Sequence, residues 1–261
     1  MRNEKFDEKL LSAKVGDAAK LALRRGEPTF TRFLSEAERA YIERNVYYDR
    51  DEEKLLFFGG TDEAEYTVAG FFPAYLFYDE NYDPEKDFPV RTVEARGSGF
   101  RRLSHRDFLG SLMALGIERE TIGDIFVAED GYSAYIVCLD KTADYLLQFF
   151  TAAANDKITC RLCDGGSIVL PEKKFETLSV TVASPRLDAL LSSALNISRE
   201  EAARLVSSGG VSVDHVVCTD KGRTLSEGSL LSVRGYGRYR LSAFGDRNRR
   251  DRLRVTLLRY I

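Results

Sequence analysis

The chain contains no apolar run approaching the roughly 18 residues needed to cross a bilayer. Its opening stretch, MRNEKFDEKLLSAK, is charged throughout and lacks the apolar core of a secretory signal. Both absences point to a cytoplasmic protein with no membrane partner. Cysteine is sparse, at Cys138, Cys160, Cys163 and Cys218. A chain of 261 residues that is 44% hydrophobic buries a core without disulfides, so reduced thiols are expected. Cys160 and Cys163 form a CxxC, but no second pair completes the four ligands of a structural zinc site. The surrounding TCRLCD reads as a strand, where positions three apart face opposite sides. The pair is therefore read as two unpaired thiols, and no metal or cofactor is expected.

Enzymatic signatures are also missing. The GSG at 97–99 lacks the third glycine of a dinucleotide loop, so no small-molecule substrate is expected there. His105-Arg106-Asp107 resembles the start of a kinase catalytic loop, yet Leu112 stands where that loop needs asparagine, and no DFG follows. Asp107 is better placed as the third residue of a helix capped by Ser104, where a carboxylate suits the positive helix end. No catalytic residue is assigned.

The net charge of −3 hides an asymmetry. Residues 1–179 carry 24 cations against 33 acids, and residues 180–261 carry 14 against 8, so −9 faces +6. Thirteen of those 14 cations are arginine, whose planar fork binds phosphate and stacks on bases. The tail thus suits a nucleic acid better than a membrane, since no amphipathic basic helix accompanies it.

The chain reads as α+β in three regions. Residues 1–80 form an N-terminal helical and β-hairpin region. Apolar positions in 4–24 have helical spacing, with a possible interruption at Gly16; Ser35 and Glu38 open a second helix over 34–47. KLLFFGG and EYTVAGFFPAYLFY read as strands around Gly60-Thr61-Asp62. NYDPEKDFP (81–89) reads as a linker. Residues 81–166 follow the order β-α-β-β-α-β of a ferredoxin-like domain, with helices in SHRDFLGSLMALG and TADYLLQFFTAAAN. RNA recognition motifs share that order, but here the third strand, SAYIVCLD, offers only Tyr135 as an aromatic, so the standard base-stacking strand is missing. The basic stretch RGSGFRRLSHR sets Arg96, Arg101, Arg102 and Arg106 around two glycines. It is either a second RNA contact or a solvated loop.

Residues 178–261 carry the basic tail. In SPRLDALL, Ser184 is read as a cap, Pro185 as the first helical residue, and Leu187, Leu190, Leu191 and Ala194 as one apolar face. Ser198-Arg199-Glu200-Glu201 opens a second helix as a capping box, and Gly209-Gly210 stops it. VSVDHVVC and SLLSVRGYGRYRLSAF read as strands, with His215 a turn residue rather than a ligand. The string SPRLDALL…ISREEAARLVSSGGVSVDHVV…LSEGSLLSVRG resembles the S4 (αL-type) RNA-binding domain along its length, apart from Asp214-His215 where Asn-Gly is common. Together with HRDFLGSLMALGI upstream and RGYGRYRL downstream, the whole chain is similar to the YlmH family.

That resemblance implies a monomeric, non-enzymatic factor. It would bind large-subunit rRNA and tRNA on the ribosome, in quality control of stalled peptidyl-tRNA. It places Arg186, Ser198, Arg199 and Arg204 where S4 helices face RNA. Lys221, Arg234, Arg238, Arg240, Arg247, Arg249, Arg250 and Arg252 are expected to supply further phosphate contacts. Asp188 is expected to accept hydrogen bonds within the module. Two alternatives remain at this level. One is an S4-bearing RNA-modifying enzyme of pseudouridine synthase type, although that would require a second Arg-Leu-Asp beyond residues 186–188. The other is a cell-division adaptor.

Overall fold

Asp7 accepts hydrogen bonds from the amides of Lys9 and Leu10 and so starts helix α1 (Glu8–Arg25). Leu11, Val15, Ala19 and Ala22 form its buried stripe. Gly16 does not interrupt it, and Gly26, in the left-handed region at φ 67°, closes it. Helix α2 (Glu36–Asn45) opens on the reciprocal Ser35–Glu38 capping box that its sequence implied. These helices cover one face of a three-stranded antiparallel sheet, in the order β1 (Thr29–Leu34), β3 (Thr67–Pro73), β2 (Glu53–Phe58). The structure, a computed structural model, describes residues 6–62, 64–163, 175–214 and 216–260.

Strand β1 was not visible in the sequence. A register shift lies between Phe30 and Phe33, so both rings face the same side despite their odd spacing. Strand β3 is buried along its whole length. Ala69 and Phe71 meet the helices, while Val68 and Phe72 face the opposite way. The strand ends at Pro73, and Ala74–Tyr78 is a 3-10 turn rather than a continuation of it.

The next segment has the expected ferredoxin-like order: β4 (Val90–Arg96), α3 (His105–Ala114), β5 (Ile122–Val127), β6 (Ser133–Leu139), α4 (Asp140–Phe149) and, at its end, β9 (Thr159–Leu162). Its antiparallel sheet runs β9-β4-β6-β5. The second helix is shorter than its sequence implied. It stops at Phe149, and a tight hairpin follows, β7 (Ala152–Ala153) and β8 (Asp156–Lys157), with Ala154 and Asn155 at positive φ. Helices α3 and α4 pack on one sheet face through Phe108, Leu112, Ala143 and Leu146 against Val93, Ala95, Ile136 and Cys138.

The other face of that sheet is not free. Val90, Phe126, Val137 and Leu139 pack in one cluster with Phe30, Phe33, Val68 and Phe72 of the N-terminal sheet. Residues 6–163 are thus a four-layer stack, helices on sheet on sheet on helices, within the compact unit Phe6–Pro171. The NYDPEKDFP stretch is part of this core rather than a free linker. Asp83 caps a 3-10 turn at Pro84–Asp87, and Tyr82 and Phe88 both join the aromatic cluster around Phe72. Beyond the cluster, Asp124 accepts the amides of Glu65 and Tyr66, and Arg119 lies over the Tyr66 ring at 4.3 Å.

The second unit lies within Glu172–Ile261. Its antiparallel sheet has the order β10 (Phe175–Val182), β15 (Leu253–Tyr260), β14 (Gly237–Arg247), β13 (Leu230–Val233), β11 (Val211–Val213), β12 (Val216–Val217). VSVDHVVC is therefore a hairpin rather than one strand, turning at Asp214 with φ 49°; His215 lies outside the described residues. Helices α5 (Leu187–Leu195) and α6 (Arg199–Ser207) bury Leu187, Leu190, Leu191, Ala202 and Val206 against Val211, Leu231, Leu241, Val255 and Leu257.

Candidate nucleic-acid interface

Helix α5 begins two residues later than its sequence implied. Arg186 is the N-cap, and its side chain makes no capping bond; Ser184 does not cap the helix. The first amides are satisfied instead by the 220–225 loop: Leu187 N–H donates to the Arg223 carbonyl and Asp188 N–H to the Lys221 carbonyl. An isolated bridge between Arg186 and Thr224 continues this contact. A loop 33 to 36 residues away in sequence thus does the work of a local cap, which no short-range signal reveals.

Asp188 is 5% exposed. It accepts from Arg186 Nε at 3.2 Å, Arg186 Nη2 at 3.3 Å and the Ala189 amide at 2.9 Å, and it lies 3.4 Å from Arg199 Nε. Burial alone would raise its pKa, but Arg186 and Arg199 outweigh that and hold the carboxyl below its ordinary value. Asp188 is therefore an anchor that fixes two guanidinium groups at the mouth of α5 and α6. Arg186 and Arg199 keep 41% and 60% of their side-chain surface exposed, so each retains donors directed to solvent.

Replacing Asp188 with alanine is expected to lower the stability of this unit by about 1–3 kcal/mol, because it removes a buried acceptor set and unties both arginines. The folded pKa is depressed, so this contribution is fully present above the unfolded carboxyl value. It disappears as pH falls through the lower folded value. Denaturant melts of the two proteins should therefore differ at pH 7, with the gap beginning to close only below about pH 4 and narrowing further as pH falls through the folded value. A difference that persists unchanged at pH 2 would contradict this role.

Ser198 caps α6 by accepting from the Glu201 amide at 3.1 Å, which is half of the expected capping box. Arg204 is exposed in the last turn of α6 and has no ion pair among the described residues. Its position suits the negative helix end as well as a phosphate. Lys221 is exposed in the loop that closes α5.

The remaining cations do not form one patch. Arg234 sits in the β13–β14 turn, with its amide bonded to the Gly210 carbonyl beside the end of α6. Arg238 and Arg240 follow on β14, alternating with buried Tyr239 and Leu241. Arg247, Arg249, Arg250 and Arg252 gather at the β14–β15 hairpin, roughly 23 Å beyond Arg240 along the strand at about 3.3 Å per residue. There Asn248 Oδ1 accepts the amides of Arg250 and Arg252, Arg247 pairs with Asp251 at 3.3 Å, and Arg252 donates to the Thr181 carbonyl. Arg223 and Arg254 were not singled out from the sequence. Arg223 pairs with Asp214 at 3.7 Å, and Arg254 is exposed on β15 facing Gly245.

In the first unit, the four arginines of RGSGFRRLSHR have different fates. Arg102 donates to the carbonyls of Glu129 and Asp130, so its guanidinium is committed to the protein's own backbone. Arg101 donates to the Ala154 carbonyl at 3.1 Å but stays exposed, Arg96 lies 3.9 Å from Glu94, and Arg106 is exposed with no ion pair among the described residues. Asp107 forms the second half of the Ser104 capping box, which accounts for it without catalysis.

Among the described residues, no cluster of three or more His, Cys, Asp or Glu side chains has the arrangement of a metal site. Burial pushes the Cys160 thiol up to about 11, and Cys138 is raised further, so neither is a thiolate near neutrality. No described helix is long and apolar enough to cross a membrane.

Comparison with known proteins matches two stretches. Residues 84–164 match a family described as "Putative RNA-binding domain in YlmH", and residues 185–231 match the S4 domain. A relative in Bacillus subtilis (strain 168), "Ribosome-associated protein quality control protein P2", is 34% identical over 206 residues, spanning 78% of this chain and 77% of that protein. A solved structure, "Cell division protein ylmH from Streptococcus pneumoniae", superposes with a TM-score of 0.47 at 20% identity, covering 62% of this chain and 94% of that one. With its ferredoxin-like segment and S4 module each matched in the order read from the sequence, the chain belongs to the YlmH family.

Proposed function

We propose that this protein binds rRNA and tRNA on the large ribosomal subunit and acts there, without catalysing a reaction, in the rescue or quality control of stalled peptidyl-tRNA complexes. The observation that carries this reading is the S4 unit itself. Asp188 braces two exposed arginines at the start of adjoining helices, in the part of the chain where arginine outnumbers acid. The RNA-binding description of the matched middle segment and the quality-control name of the Bacillus relative support the same direction. Against the enzyme reading, the aspartate of the Arg-Leu-Asp at 186–188 is buried and bonded to arginine, which supports an internal role for it.

Ultraviolet crosslinking of the protein in cells, followed by sequencing of the bound RNA, tests this. Large-subunit rRNA together with tRNA is the expected catch. Recovery of messenger RNA alone, or of small-subunit rRNA alone, would refute it. Nucleoside analysis of rRNA from a deletion strain tests the enzyme alternative, and no modification should be missing.

A further inference from the structure

In an RNA recognition motif, bases stack on the open face of the four-stranded sheet. Here that face is filled by the N-terminal sheet, with Val137 and Phe72 fully buried between the two layers. Any RNA contact in this unit must use a surface other than that sheet face: an outer helix face, an edge or a loop. One loop has the required chemistry. Between β4 and α3, Phe100 stands 96% exposed, the most exposed large apolar side chain among the described residues. The eleven residues from Arg96 to Arg106 contain four arginines and no acid, within a region whose net charge is −9.

The loop is held firmly at both roots. Ser98 donates its hydroxyl and its amide to the carboxylate of Asp156, which is buried. A Cβ at Gly97 would lie 2.8 Å from that carboxylate and 3.3 Å from the Tyr132 carbonyl, so any larger residue there would push the Asp156 carboxylate away from Ser98. On the far side, Leu103 N–H bonds to the Gly131 carbonyl, and Arg102 is bound to Glu129 and Asp130. Gly99, at φ 88°, makes the turn that lifts the next residue clear. A fixed frame thus presents one bare aromatic ring to solvent. A core has no use for this ring, and a lone ring in a stretch of chain rich in arginine is not the broad apolar patch of a protein interface. It is suited to a flat, apolar partner attached to anions.

We propose that the β4–α3 loop is a second RNA site, in which Phe100 stacks on an unpaired base while Arg96, Arg101 and Arg106 hold the flanking phosphates. The proposal rests on the RNA-binding reading and specifies what this unit recognises: single-stranded nucleotides rather than duplex. The sequence left the arginines undecided and passed over Phe100, because exposure cannot be read from a phenylalanine's identity. Arg102 has a different part, holding the loop.

The test uses the full chain and two labelled probes, a 20-nucleotide single-stranded RNA and a blunt duplex of the same sequence. Base stacking on one aromatic side chain predicts that Phe100→Ala weakens single-strand binding about five- to fifty-fold, leaves duplex binding unchanged and leaves the salt dependence unchanged. Phe100→Tyr should retain affinity. Because the ring touches so little of the protein, the thermal midpoint of Phe100→Ala should match the parent. Equal single-strand affinity for parent and Phe100→Ala, or equal losses on both probes, overturns the proposal. If Arg199→Ala/Arg204→Ala weakens binding while Phe100→Ala does not, this site fails and the RNA-binding reading stands. If the parent binds neither probe, both fall.

Discussion

Phe72→Ala is expected to destabilise the first unit by about 3–5 kcal/mol, a large share of a typical domain's stability. Phe72 is fully buried on β3 and touches the rings of Phe30, Phe77, Tyr82 and Phe88. It lies in the same cluster as Val137 of the ferredoxin-like sheet, so the cavity opens in the layer between the two sheets. The rings of Phe30, Phe77 and Tyr82 are held edge-on to it and cannot collapse far into the space, which places the cost toward the upper end for a large-to-small change. The consequence should extend beyond the N-terminal sheet. If the stack unfolds as one body, amides of α3 and α4 should lose hydrogen-exchange protection together with those of α1 and α2. Loss confined to residues before about position 80 would mean that the two sheets are separable folding units.

The second large effect concerns salt. If about 4–6 phosphates are neutralised, the logarithm of RNA affinity should fall against log salt with a slope near −3 to −4. Raising salt from about 50 to about 200 mM then weakens binding roughly a hundredfold. Changing Arg199 and Arg204 to alanine together should reduce the slope by about two and weaken binding to all sequences alike, since guanidinium–phosphate pairs carry no base information. Arg199 is the more informative of the two. Its pairing with Asp188 already orients it, so less side-chain freedom is lost when it meets a phosphate. A flat salt response, or unchanged binding by the double variant, would remove the S4 unit from RNA recognition.

Much of the architecture was legible because it is written in local periodicity and caps. Ser35–Glu38 and Ser104–Asp107 each close a reciprocal box, and the leucines at 187, 190 and 191 face the core as their helical spacing requires. The order β-α-β-β-α-β survived because each element has its own period and its own stop. The misses share a different cause. Strand β1 hides behind a bulge that breaks the two-residue period between Phe30 and Phe33. The start of α5 depends on carbonyls of Lys221 and Arg223, which no window around Ser184 contains. Tyr82 and Phe88 looked like linker residues because two prolines and several charges surround them, yet both rings are drawn into the Phe72 cluster.

The sequence by itself determined the class of this protein: an acidic body, an arginine-rich S4 module, and the family to which both belong. Composition and motif spacing are properties of the chain alone, and they need no packing to be read. Only the tertiary structure decided which charges are available and which faces are closed. Asp188 became an internal anchor because folding buries it beside Arg186 and Arg199, and Arg102 became a staple because the Glu129 and Asp130 carbonyls come within reach. The sheet face that might have received RNA is filled because two apolar surfaces, each too costly to leave in water, cover one another. Phe100 is left outside that bargain, held out by glycine geometry and a buried aspartate, and no pattern along the chain could have shown it.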